Sequence, residues 1–120
     1  MTKILIVDDH PDIRLLLSIT LGKAYEILEA EDGVSAMEII RRQRPRVVLL
    51  DIMMPGELDG LQVLDLIKSD PALKDTLVAM ITARGQATDH EIGREHGADA
   101  YFTKPFSPLQ VVKWIREQVA

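Results

Sequence analysis

Five short apolar runs punctuate the chain: Lys3 to Val7 (KILIV), Glu26 to Ala30 (EILEA), Val47 to Leu50 (VVLL), Leu77 to Ile81 (LVAMI) and Ala100 to Thr103 (AYFT). Runs this short and this continuously aliphatic predict strands covered on both faces. The stretches between them repeat apolar residues every three or four positions, as a helix with one buried face does. Ile13, Leu16, Leu17 and Leu21 share one such face, Ala36, Met37 and Ile40 a second, Leu61, Leu64 and Ile67 a third, and Leu109, Val112, Ile115 and Val119 the last.

Local start and stop signals agree with that parsing. Thr88 with Glu91 and Ser107 with Gln110 have the spacing of capping boxes, Pro11 and Pro108 suit first helical positions, and Gly22 and Gly97 can close the helices before them. Strict alternation of strand and helix calls for a parallel sheet between two helical layers, joined by right-handed crossovers. The expected class is therefore α/β, doubly wound, in one domain over residues 1–120. The segment from Thr88 to His96 departs from the pattern, being almost wholly polar with Ile92 its one large apolar residue. Its hold on the sheet is expected to be weak, which fits either a solvated surface helix or an element able to move.

In an open parallel sheet the functional crevice lies beyond the carboxyl ends of the strands. Here those ends are polar: the first strand runs into Asp8 and Asp9, the third into Asp51, the fourth into Thr82, and the fifth into Lys104 and Pro105. The second ends in Glu31 and Asp32, which with Gly33 read as an ordinary turn. Each residue alone has a structural reading: the acidic pair would favour the positive end of the helix after Pro11, Asp51 a turn, Thr82 a bond to backbone, and Lys104 a solvated loop. Taken together they put several carboxylates around one pocket, where they repel unless a cation neutralises them. No histidine or cysteine is expected in the cluster, and hard oxygen donors suit Mg2+ better than zinc. Asp51, at the end of a central rigid strand, is then the expected nucleophile toward phosphorus. Asp8 and Asp9 would hold the ion, Lys104 would neutralise phosphoryl oxygens, and Thr82 would donate its hydroxyl to one of them.

Composition narrows the choice. The chain of 120 residues has no cysteine, which excludes thiol catalysis, disulfides and a cysteine-based zinc site. A net charge of -5 disfavours direct binding to nucleic acid or to an anionic membrane. Met1 to Val7 is too short for a signal peptide or membrane span, so the expected setting is cytoplasmic.

The ordered set ILIVDDHPD, VVLLDIMMPG, DGLQVL, MITA and GADAYFTKPF resembles the receiver domain of bacterial two-component response regulators, over essentially the whole chain. The resemblance implies a flavodoxin-like fold with strand order 2-1-3-4-5, as in chemotaxis receivers. It makes Asp51 the phosphoacceptor and Asp8 and Asp9 the acidic pair that holds Mg2+ together with Asp51, with the backbone carbonyl of Met53 as a further ligand. It makes Thr82 the switch hydroxyl, Lys104 the phosphate-binding lysine and Tyr101 the switch aromatic, and it implies a cis peptide bond before Pro105. The implied phosphodonor is a histidine kinase or a histidine phosphotransfer protein, often replaceable by small phosphodonors. Such a domain is not a conventional enzyme, although it assists its own phosphorylation and dephosphorylation. Phosphorylation would remodel the face made by the Thr88 to His96 segment, the fifth strand and the last helix, where an effector domain or downstream protein would bind. Trp114 and Val111 flank the core stripe of that helix, as a homodimer or partner contact or by simple edge packing. With neither linker nor effector sequence after Ala120, the expectation is a receiver that stands alone or is excised from a longer protein.

Two features individualise the chain within that resemblance. Gly56, Glu57 and Leu58 separate Pro55 from Asp59, one residue more than the family usually has, so Glu57 is expected to alter access to the site. Met53 and Arg84 stand two positions beyond Asp51 and Thr82, where the family tunes hydrolysis; Arg84 reads equally as an exposed loop arginine. The rival from another class is a Mg2+-dependent phosphatase of haloacid dehalogenase type. That group needs a second Asp two positions after the first, whereas Asp51 is followed by Ile52 and Met53, and the chain has no cap domain. A flavin or nucleotide binder would need a Gly-rich or Ser/Thr-rich phosphate loop where His10 and Pro11 stand.

Overall fold

The computed structural model describes residues 1–52, 54, 56–82 and 96–119, with Thr82 by its main chain alone. Strands β1 (Lys3–Val7), β2 (Glu26–Ala30), β3 (Val47–Asp51), β4 (Leu77–Thr82) and β5 (Ala100–Thr103) form one sheet in the order β2-β1-β3-β4-β5. Every pairing is parallel, and the register sets Val7 opposite both Ala30 and Leu50, Asp51 opposite Ile81, and Thr82 opposite Thr103. The class and strand order are those expected.

Alternate strand residues feed two separate cores, because successive side chains of a strand point to opposite faces. Leu5, Val7, Val48, Leu50, Val78 and Met80 meet Ala36, Met37 and Ile40 of helix α2 (Gly33–Gln43) and Val63, Leu64 and Ile67 of helix α3 (Gly60–Ser69). Ile4, Ile6, Val47, Leu49, Ala79 and Ile81 meet Leu17 and Leu21 of helix α1 (Pro11–Leu21) and Val111, Val112 and Ile115 of helix α4 (Pro108–Val119). The central strands are thus aliphatic throughout because neither face meets water.

Helix ends follow from local chemistry. Pro11 and Pro108 open their helices as expected, and Gly22 closes α1 with φ 69°, its N–H donating to Ser18 O. Gly97 also has positive φ, while Thr88 and Glu91 lie outside the described residues. At α4 Ser107 Oγ accepts from Gln110 N at 3.3 Å, half of the expected box. The complete capping box is at α3, where Asp59 Oδ1 accepts from Gln62 N and Gln62 Oε1 from Asp59 N, both at 2.9 Å. Asp32 is more than a turn residue: it caps α2, accepting from Ser35 N at 2.8 Å.

Three face assignments need correction. Leu16 is 44% exposed and Leu109 75% exposed, whereas Val111, read as a flanking contact, is fully buried. On α1 the core line is Ile13, Leu17 and Leu21, four residues apart, and Leu16 lies about a quarter-turn off it. Leu109 sits in the first turn of α4, before that helix reaches the sheet core through Val111, Val112 and Ile115. Among the described residues no helix is long and apolar enough to cross a membrane.

Candidate functional site

The sheet register builds the site. Since Val7 stands opposite Leu50, the next residues, Asp8 and Asp51, come side by side where their strands leave the sheet, 2% and 3% exposed. Lys104, one residue past β5, turns its ammonium between them: Nζ donates to Asp8 Oδ2 at 2.9 Å and to Asp51 Oδ2 at 3.4 Å. The Lys104–Pro105 bond is cis, as the resemblance implied.

Electrostatics follow from this placement. Burial alone would push the Asp8 carboxyl up, but the Lys104 hydrogen bond, the His10 N–H and the Lys104 charge outweigh it and hold the group below its ordinary range. Burial would likewise lower the Lys104 ammonium, yet its bond to Asp8 and the charge of Asp51 keep it above its ordinary value. Both partners move toward the charged form, as a hydrogen-bonded ion pair requires.

Glycine at position 60 is what lets α3 approach this spot. A Cβ there would stand 2.2 Å from Asp51 O and 2.6 Å from Ile52 Cα, so any side chain would displace the peptide that carries Asp51. Gly60 N instead donates to Ile52 O at 3.1 Å.

Asp8, Asp9, His10 and Asp51 each offer a ligand atom, all within 4.8 Å of one another. His10 therefore belongs to the cluster, contrary to the expectation that no histidine would. As the N-cap of α1 it has an extended backbone that turns its ring back over the pair, with Nδ1 3.0 Å from Asp8 Oδ1 and 3.1 Å from Asp9 Oδ1. The hydrogen bond to Asp8, then the Asp9 and Asp8 charges, raise the His10 imidazole above its ordinary value. Asp9 Oδ1 is buried without a hydrogen-bond partner among the described residues. A buried carboxylate oxygen that makes no hydrogen bond and has only the His10 ring nitrogen close by, beside two further carboxylates, fits a hard divalent cation such as Mg2+.

The remaining expected residues are placed unevenly. Thr82 ends β4 next to β5, and its side chain, Met53 and Arg84 lie outside the described residues, as does the 88–95 stretch of the polar segment. Tyr101 is half-buried and packs against the core shared by α2 and α3. Trp114 packs at the other core, edge-on to Phe102 with ring centroids 6.3 Å apart. Glu57 is exposed, and Gly56 beside it lines a cleft of about 410 Å3 with Asp9, Glu31 and Asp32. Glu31 and Asp32, set aside as turn residues, thus border the cleft next to Asp9. Arg14 was also passed over: its Nη1 donates to Asp8 O at 2.6 Å and its Nε to Glu29 Oε1 at 3.2 Å. Its position one helical turn after His10 was the available signal.

Residues 4–116 match the family model of the response regulator receiver domain. The chain is 41% identical over 115 residues to the phosphate regulon transcriptional regulatory protein PhoB of Klebsiella pneumoniae, covering 95% of this chain and 50% of that protein. It is 43% identical over 111 residues to the transcriptional regulatory protein SrrA of Staphylococcus aureus, covering 92% and 44%. The chain spans about half the length of these curated relatives. Among solved structures, the signal receiver domain of a DNA-binding response regulator from Colwellia psychrerythraea superposes with a TM-score of 0.92 at 28% identity, covering 99% of this chain and 98% of that one. The chemotaxis protein CheY4 of Vibrio cholerae does so with 0.89 at 29% identity, covering 99% of each. The haloacid-dehalogenase-type alternative gains no support from these relatives. The chain belongs to the response regulator receiver domain family.

Proposed function

We propose that this receiver takes a phosphoryl group onto Asp51 from a histidine kinase or histidine phosphotransfer protein. In this reading Asp8, Asp9, Asp51 and the main-chain carbonyl of Met53 hold Mg2+. When bound, that ion supplies positive charge beside the carboxylate and phosphoryl oxygens. An Asp51 carboxylate oxygen forms the bond to phosphorus as the donor's phosphorus–nitrogen bond breaks and the imidazole leaves with the electron pair. Lys104 moves from Asp51 to a phosphoryl oxygen, and Thr82 donates its hydroxyl to another.

The single observation that carries the reading is the Lys104 ammonium between two nearly buried carboxylates, 2.9 Å from Asp8 and 3.4 Å from Asp51. A structural ion pair would need one carboxylate; the second is explained if Lys104 waits for an incoming anion. The phosphorylated side chain carries more charge and more acceptor oxygens than Asp51. Drawing Thr82 inward would make room for Tyr101 and change the face around β5 and α4, where an effector domain, a downstream protein or a second copy would bind. We place the domain in the cytoplasm on the same reading.

Intact mass measurement after incubation with a small phosphodonor and Mg2+ tests it. Wild type should gain one phosphoryl group and Asp51→Asn none. An unmodified wild type would overturn the assignment, and sustained turnover of generic phosphate esters would favour a phosphatase.

A further inference from the structure

Asp8 is held through its main chain as well as through its carboxylate. Its N–H donates to Ala30 O at 3.1 Å, and its carbonyl accepts from Arg14 Nη1 at 2.6 Å. Arg14 Nε in turn donates to Glu29 Oε1 at 3.2 Å, and the arginine side chain is only 17% exposed. Both arms of the clamp start from the last two residues of β2, Glu29 and Ala30. The edge strand therefore fixes the peptide from which Asp8 and Asp9 project, through a guanidinium anchored at two points.

The choice of acceptor is informative. A guanidinium close to a nearly buried aspartate would ordinarily fork onto its carboxylate. Here it binds the carbonyl, and the Asp8 side-chain oxygens go to His10 N, the His10 ring and Lys104. Arg14 thus fixes the direction of the Asp8 side chain without occupying the atoms that face the pocket. A planar fork suits this task, since it can address Glu29 and Asp8 at once in a fixed geometry.

We propose that Arg14, oriented by Glu29, is a positioning residue that aims Asp8 and Asp9 into the cation pocket. The inference rests on reading Asp8 and Asp9 as Mg2+ ligands. Without the clamp the peptide joining them can tilt, and both carboxylates tilt with it. Groups that orient metal ligands without touching the ion typically change affinity by roughly 10- to 100-fold.

The test is titration of the unphosphorylated protein with Mg2+ alone, followed calorimetrically, for wild type, Arg14→Ala, Arg14→Lys and Glu29→Ala. Arg14→Ala should weaken binding by about tenfold or more. Arg14→Lys should recover part of the loss, because an ammonium reaches the carbonyl but cannot bridge to Glu29 with the same geometry. Glu29→Ala should weaken binding less, and not at all in the Arg14→Ala background, since both act through one guanidinium. Thermal midpoints without metal separate the alternatives: lowered midpoints with unchanged Mg2+ affinity would make Arg14 a structural tie only and overturn the inference. A wild type that fails to bind Mg2+ would instead overturn the acidic-pocket reading beneath it. Should Arg14→Ala not fold, Arg14→Lys and Glu29→Ala decide the matter alone.

Discussion

Lys104 Nζ donates to Asp8 Oδ2 at 2.9 Å across 96 residues of chain, from the tail of β5 to the tail of β1. Strands β3 and β4 stand between those two, so the contact ties together the carboxyl ends of strands at opposite sides of a four-strand stretch of the sheet. The bond joins the last strand to the first at the point where the chemistry is proposed to occur. It also sets a cation where a second cation is expected, which makes its removal diagnostic.

Lys104→Ala leaves Asp8 and Asp51 facing each other without that ammonium. Breaking a fully buried pair costs roughly 3–5 kcal/mol. Since the Lys104 side chain keeps 17% of its exposure, a loss of about 2 kcal/mol is expected in urea denaturation. Mg2+ should restore most of it by supplying the missing charge, and Asp51→Asn in the same background should restore stability without metal. Equal losses with and without Mg2+ would show that charge repulsion is not the cause.

Mg2+ should stabilise the wild type by about 2.7 kcal/mol at a hundredfold excess over its dissociation constant, a rise in thermal midpoint on the order of 10 °C. Asp9→Asn should abolish that rise while changing the metal-free midpoint little. The substitution relieves like-charge repulsion with Asp8 and Asp51 but gives up the attraction between Asp9 Oδ1 and the His10 ring 3.1 Å away, so the two effects offset. A Mg2+ response that survives in both Asp8→Asn and Asp9→Asn would place the ion elsewhere.

Gly60→Ala and Gly22→Ala should each destabilise by about 1–3 kcal/mol, for different reasons. At Gly22 the cost is backbone conformation, with φ 69° and no atom within 4 Å of a Cβ; at Gly60 it is collision with the Asp51 carbonyl. Under conditions where circular dichroism shows both variants folded, only Gly60→Ala should take up phosphate slowly from a small donor. Similar rates in the two would mean that the Asp51 peptide accommodates the extra carbon without moving its carboxylate.

Strand identity was legible in the sequence because the central strands, with Ile4 to Val7 and Val47 to Leu50 the plainest cases, are buried on both faces and so carry an unbroken aliphatic signal, whereas their order came from the family resemblance. Asp8, Asp51 and Lys104 were legible because strand ends in a parallel sheet converge. Helix faces were less so: a 3.6-residue period does not say which of Leu16 and Leu17 lies nearer the sheet. Contacts made through main-chain carbonyls left no mark either, since the Arg14 bond to Asp8 O depends on no residue type at its acceptor. His10 escaped notice because its role comes from the N-cap conformation that folds its ring back. Asp32 was read from the Asp-Gly pair as a turn, but Ser35, three residues on, was the capping partner that marked a helix start.

Asp32 also gives stability a defined dependence on pH. Its hydrogen bonds from Ser35, first from the hydroxyl and then from the backbone N–H, hold the carboxyl below its ordinary value of 3.8. A carboxyl whose folded value is depressed contributes stability that is fully present above the unfolded value and is lost as pH falls through the folded one. Replacing a good N-cap by alanine typically costs about 1 kcal/mol. Asp32→Ala should show a cost of that order near neutrality, shrinking once pH drops below about 4. Asp32→Asn keeps an acceptor for Ser35 N, so it should cost less and show a flatter acid limb than wild type. Urea denaturation of the three proteins between neutrality and pH 3 checks this. A cost for Asp32→Ala that stays constant across that range would mean that the hydroxyl and N–H of Ser35 hold the protonated cap as well as the charged one.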